Sequence, residues 1–162
     1  MLPESVVQPA RGVLEGCRAR GWTLATAESC TGGLISAALT AIPGSSAVVE
    51  RGFMTYTNAA KAQILGVPQA TLDAAGAVSR EVSEAMVRGL LKQAPVDIAV
   101  SVTGVAGPGG GTPDKPVGLV YIGVATRSGT VDVARHDFRG DRDAVREASV
   151  RAALEMLGTA LT

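Results

Sequence analysis

Three short blocks of the sequence gather hydroxyls, an amine and glycines at spacings that suit chemistry. The first, Ala27-Glu28-Ser29-Cys30-Thr31-Gly32-Gly33, lies between a short apolar run and a helical pattern. Hydroxyls and glycines at a helix N-terminus offer free backbone N–H groups and a positive dipole end, which suit a phosphate or a developing oxyanion. The same residues also fit a plain capped helix start. In the second block, Thr55-Tyr56-Thr57-Asn58-Ala59-Ala60-Lys61, Lys61 falls in the first turn of a helix. The dipole and burial would both lower its pKa toward that of a general base; the plain alternative is a solvent-facing lysine. The third, Thr103-Gly104-Val105-Ala106-Gly107-Pro108-Gly109-Gly110-Gly111, follows an apolar run and holds five glycines in nine residues. So much glycine is entropically costly for a connector, and it lets backbone amides approach a ligand.

Lesser signals surround these blocks. Arg142, in Gly140-Asp141-Arg142-Asp143, is a surface arginine or a bidentate partner for a phosphate. Ser45-Ser46 after Pro43-Gly44 reads as turn chemistry. His136 is the only histidine, so a Ser-His-Asp triad depends on it alone. Cys17 and Cys30 have no CxxC or Cys/His spacing, which argues against a disulfide framework and a structural zinc site. Cys30 is a nucleophile in principle, without a histidine nearby in sequence.

The elements that must position these residues follow from pattern. Val6, Ala10, Val13, Leu14 and Cys17 predict a helix over residues 4–20. A strand over 22–27 and a helix from Leu34 to Ile42 follow, ended by Pro43-Gly44. A second strand is expected over 48–57, then a helix capped by Asn58 and running to Leu65, and another capped by Ser79 and running to about Lys92. Residues 97–102 read as a buried strand that opens into the loop 103–116; 117–126 and 130–138 read as a hairpin. The last helix runs from Asp141 to about Ala160, with Val145, Ala148, Ala152 and Met156 on one stripe. The order implies a single domain over 1–162: a three-layer α/β/α sandwich whose mixed, mostly parallel sheet has about five strands, with ligands beyond the strands' carboxyl ends.

Composition narrows the classes. With 162 residues, 46% hydrophobic and 19% charged, the chain suits one globular domain and carries no disorder signature. Fifteen basic and fifteen acidic residues cancel, so no long-range field draws in nucleic acid. No apolar run reaches the roughly 18 residues that span a bilayer, and the N-terminus lacks a secretory pattern, so the expectation is a cytoplasmic protein with no membrane partner.

Taken together, the three blocks, in this order and separation, resemble the C-terminal domain family of the competence/damage-inducible protein CinA, over nearly the whole chain. Stand-alone members, the PncC type, are nicotinamide mononucleotide deamidases. The resemblance thus implies an amidohydrolase that turns the nicotinamide carboxamide into the acid and ammonia by a Ser/Lys mechanism. Longer members carry a further N-terminal domain associated with metal-dependent pyrophosphatase activity; this sequence matches the C-terminal part, so neither metal nor cofactor is expected. Ser29 is then the nucleophile and Lys61 the base, with Tyr56 relaying a proton or orienting Lys61 and Ser46 or Thr103 completing the hydrogen-bond chain. Amides around Cys30, Thr31, Gly32 and Gly33 are oxyanion candidates. Arg142 is the candidate for the ribotide phosphate, with Thr31 or the glycine loop from Gly104 sharing it. The family also implies a homo-oligomer, dimer or higher. Two rivals stand beside this reading: a non-catalytic nucleotide-binding or regulatory module, and a different amidase or esterase for a small phosphorylated amide.

Overall fold

The computed structural model describes residues 1–162. Its five strands are β1 (Leu24–Glu28), β2 (Val49–Met54), β3 (Ile98–Gly104), β4 (Leu119–Thr126) and β5 (Val131–Asp137). They form one sheet in the order β2-β1-β3-β4-β5. β1 pairs in parallel with β2 and β3, while β3–β4 and β4–β5 are antiparallel. Only β4 is therefore reversed, and the carboxyl ends of β1, β2 and β3 meet on one rim.

Two helical layers cover the sheet. Helices α1 (Glu4–Arg20), α2 (Leu34–Thr40) and α6 (Arg142–Ala160) pack on one face. Their apolar residues meet Leu24, Ile98, Val100, Val102, Val120, Ile122 and Val124, the residues of even number on β1, β3 and β4. Helices α3 (Asn58–Leu65), α4 (Gln69–Ala75) and α5 (Arg80–Gln93) lie on the other face, over Ala25, Ala27, Ala99 and Ala125. Alternation of side chains along a strand sorts the two sets. No helix is long and apolar enough to cross a membrane.

The expected elements are present, with differences at their ends. β1 begins at Leu24 rather than Trp22 and is buried throughout, as befits a strand between two neighbours under two layers. β2 stops at Met54, since Thr55–Thr57 turn out of the sheet to start α3. The cap of α3 is Thr57, whose hydroxyl accepts from the Ala60 N–H at 3.1 Å, and Asn58 is the first helical residue. α4 was not expected: seven residues after Pro68 give too short an apolar period to register. The buried stripe of α6 keeps Val145 and Ala152 of the expected set and adds Ser149, Val150, Ala153, Leu154 and Leu157, while Ala148 and Met156 are half-buried, because the helix packs on both α1 and the sheet.

Close packing on the α5 side sets the height of α3. A Cβ at Gly89 of α5 would lie 1.8 Å from the Leu65 carbonyl oxygen at the end of α3, and one at Gly123 of β4 would lie 2.8 Å from Ser101 Oγ. Neither neighbour is a flexible side-chain tip that could swing aside cheaply. Gly89→Ala is accordingly expected to lower unfolding free energy by about 1–3 kcal/mol, read as a shift in the denaturant midpoint. An unchanged midpoint would show that α3 is free to lift.

Candidate active site

The site forms where the chain leaves β1, β2 and β3. Just past β1, the Ser29 N–H donates to Val102 O at 3.0 Å, and the Thr55 N–H donates to Glu28 O at 2.9 Å, so the first residues beyond the strands remain registered to each other. The two exits and the start of α3 are thereby held side by side. A cavity of about 280 Å³ opens there, lined by Ser29, Cys30, Tyr56, Lys61, Ala77, Val78, Thr103, Arg142 and the glycine loop from Gly104 to Gly110. A larger, more open groove of about 660 Å³, between α4 and the start of α5, contains neither Ser29 nor Lys61.

Lys61 is the least expected occupant of a protein interior: it is 1% exposed. Its Nζ lies 3.0 Å from Ser29 Oγ, 2.9 Å from Thr55 O and 3.2 Å from Tyr56 O. Burial lowers its pKa, because desolvation penalises the ammonium. Nζ donates to all three oxygens; on deprotonation its two remaining N–H bonds would still satisfy the two carbonyls and leave a lone pair for the Ser29 hydroxyl. Ser29 is itself 8% exposed, with its Oγ on the cavity side.

The neighbouring acid faces elsewhere. Glu28, 1% exposed, accepts from Thr31 Oγ1 at 2.7 Å, the Ile35 N–H at 2.8 Å, the Ser36 N–H at 3.0 Å and Ser36 Oγ at 2.9 Å. Each carboxylate oxygen thus takes two donors. The N-terminal amides of α2 are consumed by this carboxylate and are not free for a phosphate, and the Thr31 hydroxyl is spent the same way. The amides of Cys30 and Thr31 donate to no backbone acceptor, within a turn closed by the Gly32 N–H on Ser29 O at 3.0 Å. These two N–H groups follow directly on Ser29, and Cys30 lines the cavity; N–H groups so placed would suit an oxyanion. Gly32 and Gly33 follow at φ 59 and 97 and do not line the cavity.

The other expected residues divide. The phenol of Tyr56 accepts from Arg142 Nη2 at 3.1 Å instead of touching Lys61, which it meets through its main-chain carbonyl. Arg142 also donates from Nη1 to Gly107 O at 2.8 Å, tying α6 to the glycine loop. Thr103 lines the cavity, yet its hydroxyl donates to Ala77 O at 2.8 Å and reaches neither Ser29 nor Lys61. Ser46 is not brought to the site: it is exposed on the 3-10 turn Ser45–Ala47 before β2, at the opposite end of that strand from Tyr56. Burial raises the Cys30 thiol pKa to about 11, so at neutral pH it is held as the unreactive thiol rather than the thiolate. His136 lies on edge strand β5, stacked on Phe138 at 5.1 Å and outside the cavity, so no Ser-His pair exists. Sequence reasoning missed the parts played by Glu28 and Arg146. The signals were a lone acid closing an otherwise apolar strand and an arginine one helical turn after Arg142.

Comparison with known proteins places the chain in a family. The family model described as the CinA C-terminal domain matches residues 7–161. The chain is 53% identical over 144 residues, 89% of its length and 86% of the relative's, to a protein of Enterobacter agglomerans named nicotinamide-nucleotide amidohydrolase PncC. It is 48% identical over 157 residues, 97% of its length and 95% of the relative's, to a protein of the same name from Escherichia coli strain K12. A CinA-like protein of Geobacter metallireducens is 54% identical over 140 residues, 86% of this chain and 34% of that longer protein. The crystal structure of competence/damage inducible protein CihA from Agrobacterium tumefaciens superposes with a TM-score of 0.96 at 48% identity, covering 99% of this chain and 98% of that one.

The lowered Lys61 pKa couples stability to pH. Between that value and the ordinary lysine value of about 10.4, the unfolded chain holds a proton that the folded one has released, so stability rises with pH across this window. Denaturant unfolding from pH 7 to 10.5 is expected to show the wild-type protein gaining stability relative to Lys61→Met as pH rises. A flat difference would mean an amine with an unshifted pKa.

Proposed function

The chain belongs to the CinA C-terminal domain family, and from that premise we propose that it is a nicotinamide-nucleotide amidohydrolase, acting on nicotinamide mononucleotide through a Ser29/Lys61 pair. The observation that carries the reading is the 3.0 Å contact between Ser29 Oγ and a lysine amine buried without a carboxylate partner. Relatives named for this activity match the chain over nearly its whole length.

The steps follow from the contacts. Neutral Lys61 takes the Ser29 hydroxyl proton as Oγ bonds to the carboxamide carbon, and the carbonyl oxygen, now an anion, is met by the Cys30 and Thr31 amides. The C–N bond breaks as Lys61 returns the proton to the departing nitrogen, releasing ammonia and leaving an ester on Ser29. A water, deprotonated by the same amine, then attacks the ester carbon; the bond to Oγ breaks and Oγ recovers its proton. One group serves as base and acid in both halves, so no histidine is needed.

Phosphate recognition falls to Arg142 and Tyr56. Arg142 uses two of its five N–H donors on Gly107 O and Tyr56, and the phenolic hydrogen of Tyr56 has no partner in the protein. The remaining donors serve the ribotide phosphate at the mouth of the cavity, where Tyr56 is 53% exposed.

Ammonia release from nicotinamide mononucleotide by chelator-treated protein tests the reaction. Ser29→Ala and Lys61→Met are each expected to lower kcat by about 10⁴-fold or more, on the scale of dismantled nucleophile–base pairs. Wild-type kcat/KM should rise with pH through a pKa below 10.4, a limb absent from Lys61→Met; binding without hydrolysis would instead leave a nucleotide-binding module. Arg142→Ala is expected to raise KM about 10-fold or more, and Tyr56→Phe a few-fold, with kcat little changed in either. A Tyr56→Phe enzyme whose kcat collapses would restore the phenol to a proton-relay role.

A further inference from the structure

One turn beyond Arg142 on α6, Arg146 donates from Nε to Cys30 O at 3.2 Å and from Nη2 to Thr31 O at 3.3 Å. It does not line the catalytic cavity; it lines a separate one of about 240 Å³ between α1, the start of α2 and α6. The guanidinium therefore grips the turn after the nucleophile from behind. We infer that Arg146 is a positioning residue that orients the oxyanion-binding amides, an inference that rests on the amidohydrolase reading above.

The reason is the geometry of a planar trans peptide, whose N–H points opposite to its C=O. Cys30 O and the Thr31 N–H share one plane, so holding that carbonyl toward Arg146 of α6 fixes the Thr31 N–H in the opposite direction. This plane is also the central peptide of the Ser29–Gly32 turn, the one that rotates when a turn changes between types I and II. No other protein group donates to Cys30 O, whereas Thr31 O also accepts from the Leu34 N–H at 3.1 Å. The guanidinium thus holds the plane that nothing else holds, and its rigid fork spans both carbonyls at once. A full flip would force Thr31 to positive φ, which no non-glycine residue here adopts. Loss of Arg146 should therefore loosen the donor without inverting it, and cost less than the 10²–10³-fold typical of a deleted oxyanion donor.

The experiment compares wild type, Arg146→Met and Arg146→Lys in hydrolysis of nicotinamide mononucleotide and in binding of two probes. One probe is the product acid mononucleotide, a ground-state ligand. The other is the substrate analogue with an aldehyde in place of the carboxamide, to which the Ser29 hydroxyl adds, placing the former carbonyl oxygen at the oxyanion position. Arg146→Met is expected to lose about 10- to 100-fold in kcat and a parallel factor in aldehyde affinity. Its KM, product affinity and melting temperature should stay near wild type, and Arg146→Lys should fall between the two. Unchanged kcat and aldehyde affinity would overturn the inference. So would a joint fall in both ligand affinities and in melting temperature, which marks a role in the fold alone. A wild-type protein that binds product but neither hydrolyses the nucleotide nor captures the aldehyde would overturn the amidohydrolase reading, and this inference with it.

Discussion

An amine kept out of water with no acid beside it is the constraint that organises this molecule. An ammonium in that position would lose its hydration without an opposite charge to replace it, and a paired carboxylate would hold the proton on. Lys61 meets two carbonyls and one hydroxyl. The acid next to Ser29 in sequence, Glu28, is sent by the strand's alternation to the opposite face of the sheet. Glu28 meets four donors on the α2 side, and Ser29 meets Lys61 on the α3 side. The pleat of one strand thus separates an acid from a base that would otherwise neutralise each other.

Burying that amine demands a tightly seated α3. The centre of the sheet face beneath this layer is built of Ala25, Ala27, Ala99, Ser101, Gly123 and Ala125, with Phe53 and Val131 on the flanking strands. Small residues there let α5 settle close to the strands, and Gly89 lets the end of α3 settle on α5. The scarcity of aromatics, 3% of the chain, is part of the same solution. Bulk in this layer would lift Lys61 from Ser29 and break the 3.0 Å contact between them.

Charge is handled locally, since the chain has no net charge to steer a ligand. Two arginines one turn apart on α6 reach different segments: Arg142 reaches Tyr56 and the glycine loop, and Arg146 reaches the turn after Ser29. Both spend donors on main-chain carbonyls, so the last helix of the chain braces segments from its first and third strands. The hydrogen bonds of the turn after Ser29 are therefore complete only when the C-terminal helix has docked.

Much of this was legible in the residues alone, for a physical reason. Periodicity and turn residues are local, so the helix over 4–20, the strand over 97–102, the terminal hairpin and the three motif blocks could be read without coordinates. Ser29, Lys61 and the glycine loop could be singled out because their types are unusual at their places in those elements. Side-chain direction and partnership are not local. Whether Lys61 faced solvent or Ser29, whether Tyr56 turned to the amine or to Arg142, and which end of β2 carried Ser46 depended on the packing of segments tens of residues apart. Glu28 and Arg146 escaped notice for the same reason: a carboxylate or guanidinium in a sequence carries no mark of which backbone groups it will satisfy. The chain by itself determined its elements and the kinds of groups at their ends, whereas the burial that lowers the Lys61 pKa and the hydrogen bonds of Arg146 to the turn after Ser29 exist only once the layers have closed.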